Sequence, residues 1–343
     1  MLNHLAGFQD FLIVLEGLTR ATAASYTRKV REFHAWLIGS GIPARPDGIG
    51  RQHVEAYLQY CFYQRNSNQT RYTKLTALKK FWRYLKYEGV VSEDITSQIP
   101  KPKLHINRVQ KFTKTEILSF FRAIDITREK GLRDAVIFIL GAFCGLRIGE
   151  ICKLRLGDVI DNGENIDIAI PEDIGKKHRE RTVYIWKAPG TFIRAYTAVR
   201  LAQGAKIQNT LLVSYKFRRP SSRPVAASDV DDLIKRYAAK ADIKKPRITS
   251  HMLRATHACD LRNIRGYDSA AIAGRMGHAS IATTDRYLPD RGRIPREYPS
   301  LAVYWKEFNH IWNKGEANDN ISSGAGHPAN KDISGGDAVD GQT

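Results

Sequence analysis

Along the N-terminal part of the chain, large apolar residues return at the spacing of a helix face. Tyr26, Val30, Phe33 and Leu37 form one stripe, with Thr19 or Thr22 available as a cap and Gly39 as a stop. Val54, Tyr57, Leu58, Cys61 and Phe62 predict a second helix over 51–65. Leu75, Leu78, Trp82 and Leu85 predict a third over 69–88, closed by Gly89. The pattern breaks at Pro100. Residues 101–112 carry Lys101, Pro102, Lys103 and Lys111 without helical period and read as a basic linker. Thr113-Lys-Thr-Glu116 is a capping-box pattern ahead of Ile117, Leu118 and Phe121, so a new helix starts there.

Beyond that point helical patterns are expected near 113–125, 131–144, 147–154, 189–202, 228–240, 251–263, 268–275 and 281–288. Ile166–Ile170 and Thr182–Trp186 alternate and predict two strands joined by a turn. The expected fold is mainly α with a small antiparallel β-sheet. A helical domain spans 1–100, the linker 101–112, and a mixed α/β domain 113–312.

The last segment, 313–343, has few large apolar residues. It sets Lys314 and Lys331 against Glu316, Asp319, Asp332, Asp337 and Asp340. Such a stretch buries too little surface to offset its ordering entropy and is expected to be a disordered acidic tail. The rest of the molecule is strongly basic, since the chain as a whole carries a net charge of +19. That excess favours a polyanionic partner, and nucleic acid is the expected one. Within the third helix Lys79, Lys80, Arg83 and Lys86 share a face with no acid among them. Together with Lys101 and Lys103 they are the candidate phosphate contacts.

No apolar run reaches the length of a membrane span, and no secretory signal is visible. Cys61, Cys144, Cys152 and Cys259 lack Cys-x-x-Cys or zinc-ligand spacing, which predicts reduced thiols, a cytoplasmic location and no metal site. No phosphate-cradling Gly-rich loop is visible either, so no cofactor is expected.

One set of residues carries a chemistry. Arg147 follows Gly145 at the expected start of a helix, with Glu150 one turn on to hold the helix or orient the arginine. His251 and Arg254 are three apart and share a helix face. His278 follows Gly277, and Tyr287 comes shortly after. Two planar, permanently charged guanidinium forks suit a phosphodiester whose non-bridging oxygens gain charge during attack. The histidines can donate to those oxygens or move a proton, and the phenol of Tyr287 is the candidate nucleophile. The turn Gly175-Lys-Lys-His-Arg-Glu-Arg181 supplies cations for the leaving oxygen, with Lys176 or Lys177 as the acid.

In this order and spacing the residues resemble a known family. Gly145-Leu-Arg-Ile-Gly-Glu-Ile-Cys-Lys-Leu-Arg-Leu-Gly-Asp158 is similar to the first signature box of the tyrosine recombinases, the phage-integrase and Xer-type enzymes. His251-Met-Leu-Arg-Ala-Thr-His-Ala258 with Met276-Gly-His-Ala-Ser-Ile-Ala-Thr-Thr-Asp-Arg-Tyr287 is similar to the second. The resemblance covers roughly 8–300. It implies a helical core-binding domain joined to a catalytic domain, and it favours Lys176 as the β-hairpin lysine.

It further implies a catalytic set of Arg147, Lys176, His251, Arg254, His278 and Tyr287. A 3′-phosphotyrosyl intermediate would form without metal or ATP, in a homotetramer on two duplexes at the nucleoid. The resemblance implies integration, excision or resolution of DNA elements. Type IB topoisomerase-like relaxation, or a non-catalytic DNA-binding accessory role, is the alternative. After Tyr287, Leu301, Tyr304, Trp305, Phe308 and Trp312 fall on one helical side. In this family such a C-terminal helix docks into a neighbouring protomer.

Overall fold

The computed structural model describes residues 1–104, 110–163, 165–175, 180–217, 219–263, 266–277 and 309–310. The chain divides into two compact units, Met1–Asn107 and Arg108–Thr343.

The N-terminal unit is helical. Helix α1 (Leu5–Asp10) runs into a wider π turn over Phe11–Leu15. Helices α2 (Arg20–Gly39), α3 (Arg51–Tyr63) and α4 (Asn68–Tyr87) follow. Local chemistry sets the starts. The hydroxyl of Thr19, rather than that of Thr22, accepts from the Thr22 amide at 3.3 Å and caps α2, while Ser67 accepts from the Thr70 amide at 3.1 Å and caps α4. The stripe Leu75, Leu78, Trp82 and Leu85 is fully buried. Helix α1 was not among the predicted elements, yet Phe8 and Leu12 are fully buried in the same core, and Phe8 meets Phe81 edge-to-face at 5.1 Å.

The second unit is built around α6 (Glu129–Ala142), every residue of which from Gly131 to Ala142 is buried. A helix buried on all sides belongs inside a domain, and its two charged residues there, Arg133 and Asp134, pair with each other. It packs against α8 (Lys187–Ala202) and α10 (His251–Asn263). Helix α5 (Lys114–Arg122) opens on the expected reciprocal cap: Thr113 Oγ1 accepts from the Glu116 amide at 3.2 Å, and the Thr113 amide donates to Glu116 Oε2 at 2.7 Å.

Helix α7 is a single turn, Ile148–Ile151, shorter than the pattern predicted. The backbone leaves the helix to pair elsewhere. The Leu154 carbonyl accepts from Leu211 at 2.8 Å, and the Leu156 amide donates to Asn209 at 2.9 Å. Strands β1 (Val159–Asp161), β2 (Asn165–Ile170) and β3 (Arg181–Trp186) form an antiparallel sheet in that order.

A separate two-stranded hairpin, β4 (Val213–Lys216) and β5 (Arg219–Pro224), was not expected. The sequence of β5, Arg-Pro-Ser-Ser-Arg-Pro, has neither alternation nor β-branched residues to signal it. Helices α9 (Ala227–Lys240) and α11 (Ser269–Met276) complete the described elements. The architecture is mainly α with small antiparallel sheets. Among the described residues no helix is long and apolar enough to cross a membrane. The helix expected at 281–288 and the acidic tail lie outside the described residues.

Candidate active site

Three backbone turns bring the two signature arginines to one place. Gly145 adopts a left-handed φ of 65° and ends the chain leaving α6. The position admits only glycine for a second reason: an added Cβ would come within 2.3 Å of the His257 ring. Arg147 then caps α7. Its amide donates to Glu150 Oε2 and its Nη1 to Glu150 Oε1, both at 2.8 Å. Its Nη2 reaches across to the Gly277 carbonyl at 2.5 Å.

Arg254 projects from α10 and is only 2% exposed. One of its nitrogens donates to the Gly145 carbonyl and another to the Met276 carbonyl. The two arginines are thus held to the same stretches, the Gly145 turn and the C-terminal end of α11. At that end Gly277 turns left-handed with φ 60°. Arginine is suited to this placement. A helix C-terminus offers unpaired carbonyls that bear partial negative charge.

Glu150 is the centre of the charge arrangement. It is 2% exposed and accepts from a second arginine that sequence reasoning left aside. Arg181, the first residue of β3, donates from Nη1 to Oε1 at 3.1 Å and from Nη2 to Oε2 at 2.7 Å. Burial alone would raise the Glu150 carboxyl. The bonds and charge of Arg181, then the backbone and side-chain bonds of Arg147, outweigh burial and hold it below the ordinary range. Arg181 also lies against Gly277, where an added Cβ would be 3.1 Å from its Nη1.

A signal for Arg181 was present in the sequence. It shares strand parity with Val183 and Ile185, both buried, so it faces inward and needs a carboxylate.

His251 opens α10 one turn before Arg254 and is exposed. His257 packs against Gly145. Lys176, His278 and Tyr287 lie outside the described residues; Gly175 and Gly277, which directly precede the first two, are described.

The predicted phosphate contacts divide. Lys79 donates to the Ser97 carbonyl at 3.0 Å, and Lys80 pairs with Glu16. Arg83 also pairs with Glu16 but remains exposed, as does Lys86. Lys101 is exposed and sits 5.1 Å from the Tyr72 ring centre. Lys103 is exposed, and its carbonyl accepts from Asn68 at 2.8 Å. Glu16 precedes the helices that the sequence pattern marks, so that pattern carries no sign of it as a partner.

The model of the phage integrase family matches residues 110–291, more than half of the chain, and spans Arg147, Glu150, Arg181 and Arg254. The chain belongs to the phage integrase family. The family's N-terminal SAM-like domain matches residues 5–90, which takes in α1.

This phage-integrase chain is similar to the tyrosine recombinase XerD of Lacticaseibacillus casei, 28% identical over 82% of this chain and 92% of the relative. It is similar to the XerD of Pseudomonas aeruginosa at 27%, over 82% and 90% respectively. Two solved structures share its fold. A lambda integrase dimer bound to a COC′ core site superposes with a TM-score of 0.64 at 17% identity, covering 87% of this chain and 99% of that one. XerH bound to a palindromic difH substrate gives 0.65 at 17% identity, covering 84% and 80%. The protein is a tyrosine recombinase and acts in site-specific DNA recombination.

Proposed function

We propose that Arg147 and Arg254 clamp the scissile phosphate of duplex DNA while Tyr287 attacks it. The observation that carries this reading is their convergence on the Gly145 turn and the end of α11, with Glu150 fixing Arg147. Guanidinium groups held in advance of the reaction need no reorganisation as charge builds on the phosphate. The Tyr287 oxygen bonds to phosphorus and the bond to the 5′ oxygen breaks. The phenol proton passes to a histidine, His251 or His278, and Lys176 protonates the departing oxygen. The phosphodiester energy is kept in the 3′-phosphotyrosyl bond, so a 5′ hydroxyl of a second duplex reverses the step without ATP or a metal.

The finer reading is a homotetramer on two duplexes, in the cytoplasm at the nucleoid, that moves or resolves a DNA element. The aromatic segment 300–313 passes between protomers in this reading. Exposed Arg83, Lys86, Lys101 and Lys103 serve as phosphate contacts, while Lys79 and Lys80 contribute charge from within their internal bonds.

The test is covalent capture on a nicked suicide-substrate library. The wild-type chain is expected to leave a 3′-linked protein–DNA adduct, and Tyr287→Phe none. An adduct that persists in the phenylalanine variant would assign the nucleophile to another residue.

A further inference from the structure

The β4–β5 hairpin has no part in the arrangement around Glu150, yet it is built with care at one end and left bare at the other. At its base, buried Arg133 of α6 donates to the Val213 carbonyl at 2.9 Å, and its guanidinium lies 5.3 Å from the Tyr215 ring centre. Tyr237 and Arg133 both donate to Asp134, which completes a buried anchor. Isolated two-stranded hairpins are barely stable in water, so this anchor accounts for the hairpin's existence.

At its tip, Lys216 pairs with Arg219, leaving Phe217 at the head of the turn. Phe217 is 89% exposed, the most exposed of the large apolar side chains among the described residues, and has φ 49°. A tight hairpin turn favours Asn or Gly at that conformation, and a bulky apolar side chain there works against both backbone and solvation. Strained residues persist at binding sites because the surroundings hold them in place.

The surface around Phe217 selects a partner. Residues 213–224 include Lys216, Arg218, Arg219 and Arg223 and no acid. Lys216 lies 5.6 Å from the Phe217 ring centre. Pro220 and Pro224 remove amide donors from β5, so the edge is a poor template for a further protein strand. Cations flanking a presented apolar ring suit a duplex, in which phosphates surround sugar and base faces.

The geometry points to the β4–β5 hairpin as a DNA-contacting arm: Lys216, Arg219 and Arg223 meet backbone phosphates, and Phe217 presses against a base step or its sugar. This rests on the reading of the protein as a DNA recombinase. It adds a contact that the first signature box, the second box and the basic face of α4 do not include.

The experiment measures binding of the full-length chain to a fluorescein-labelled random-sequence duplex across a salt series. Three chains are compared: wild type, Phe217→Ala, and the triple variant Lys216→Ala, Arg219→Ala, Arg223→Ala. The tip is exposed, so all three are expected to melt alike by circular dichroism. The triple variant is expected to lower the slope of log affinity against log salt by about 2–3, since each phosphate contact contributes about 0.9. Phe217→Ala is expected to keep the slope and weaken binding by roughly 5- to 100-fold, the range for losing one aromatic–base contact.

A duplex carrying 2-aminopurine is expected to brighten with wild type and not with Phe217→Ala. Unchanged slope and affinity in both variants, with tight wild-type binding, would overturn the arm and leave the recombinase reading intact. A wild-type chain that binds no duplex overturns both. Variants that change only the sedimentation behaviour would make the hairpin a protomer interface and overturn the arm.

Discussion

At the scale of single residues, Glu150 decides whether Arg147 and Arg181 are an asset. Both guanidinium groups converge on one carboxylate that is 2% exposed. Removing one partner of such a buried set leaves uncompensated charge, so Glu150→Gln is expected to lower stability by about 3–5 kcal/mol at neutral pH, read by chemical unfolding. The pH dependence follows from the lowered carboxyl. Its stabilising contribution is complete above the ordinary carboxylate range and fades as pH falls through the lower folded value. The gap between wild type and Glu150→Gln should therefore narrow as the solution is acidified below that range.

Arg181→Gln removes the largest counterweight to burial. Its activity is expected to fail at a higher pH on the acid side than wild type, with Arg181→Lys in between. Identical acid limbs in all three would show that Arg181 does not act through Glu150. The convergence of the signature-box arginines was legible because planar, permanently charged forks at that spacing suit a shared anion. Arg181 was overlooked because it ends a run of cations, where charge alone separates no residue from its neighbours.

At the scale of elements, caps and stripes were readable and pairings were not. The bounds expected for α10 were met, and Thr113 and Glu116 form the cap their spacing announced. Strand β1 is too short to show a period and pairs with its neighbour β2, while the β4–β5 hairpin leans on Arg133 from distant α6, which no local period records. Helix α10 carries its own pH response. Burial pushes the Asp260 carboxyl up to about 7 against the opposing pull of Lys111. A raised acid favours the protonated form in the folded state, so its contribution is complete below the ordinary Asp value of 3.8 and is lost as pH rises through about 7. Asp260→Asn is expected to melt above wild type at alkaline pH, with the difference closing towards about pH 4.

Gly145 joins α6 to α7 at a left-handed turn against His257. Gly145→Ala is expected to lose about 1–2 kcal/mol from the backbone alone. Cleavage should fall further, because the carbonyl that receives Arg254 must shift with it.

At the scale of the molecule, charge dominates. The chain carries +19, while the segment 313–343 is acidic. Deleting that segment is expected to speed association with duplex DNA at low salt, and the advantage should vanish near 1 M, where the screening length is about 3 Å. Equal association rates at every salt concentration would show that the tail does not compete for the basic surface. One further property follows from the end of α11. The carbonyls of Met276 and Gly277 are held by Arg254 and Arg147, and the next residue is His278 on the way to Tyr287. Thermodynamic linkage is reciprocal. On the function proposed above, an anion that stiffens the two arginines also steadies the end of α11, and any change that loosens those carbonyls weakens the hold on the anion by the same factor. On that proposal the grip on the phosphate is set partly by the backbone, at two peptide carbonyls.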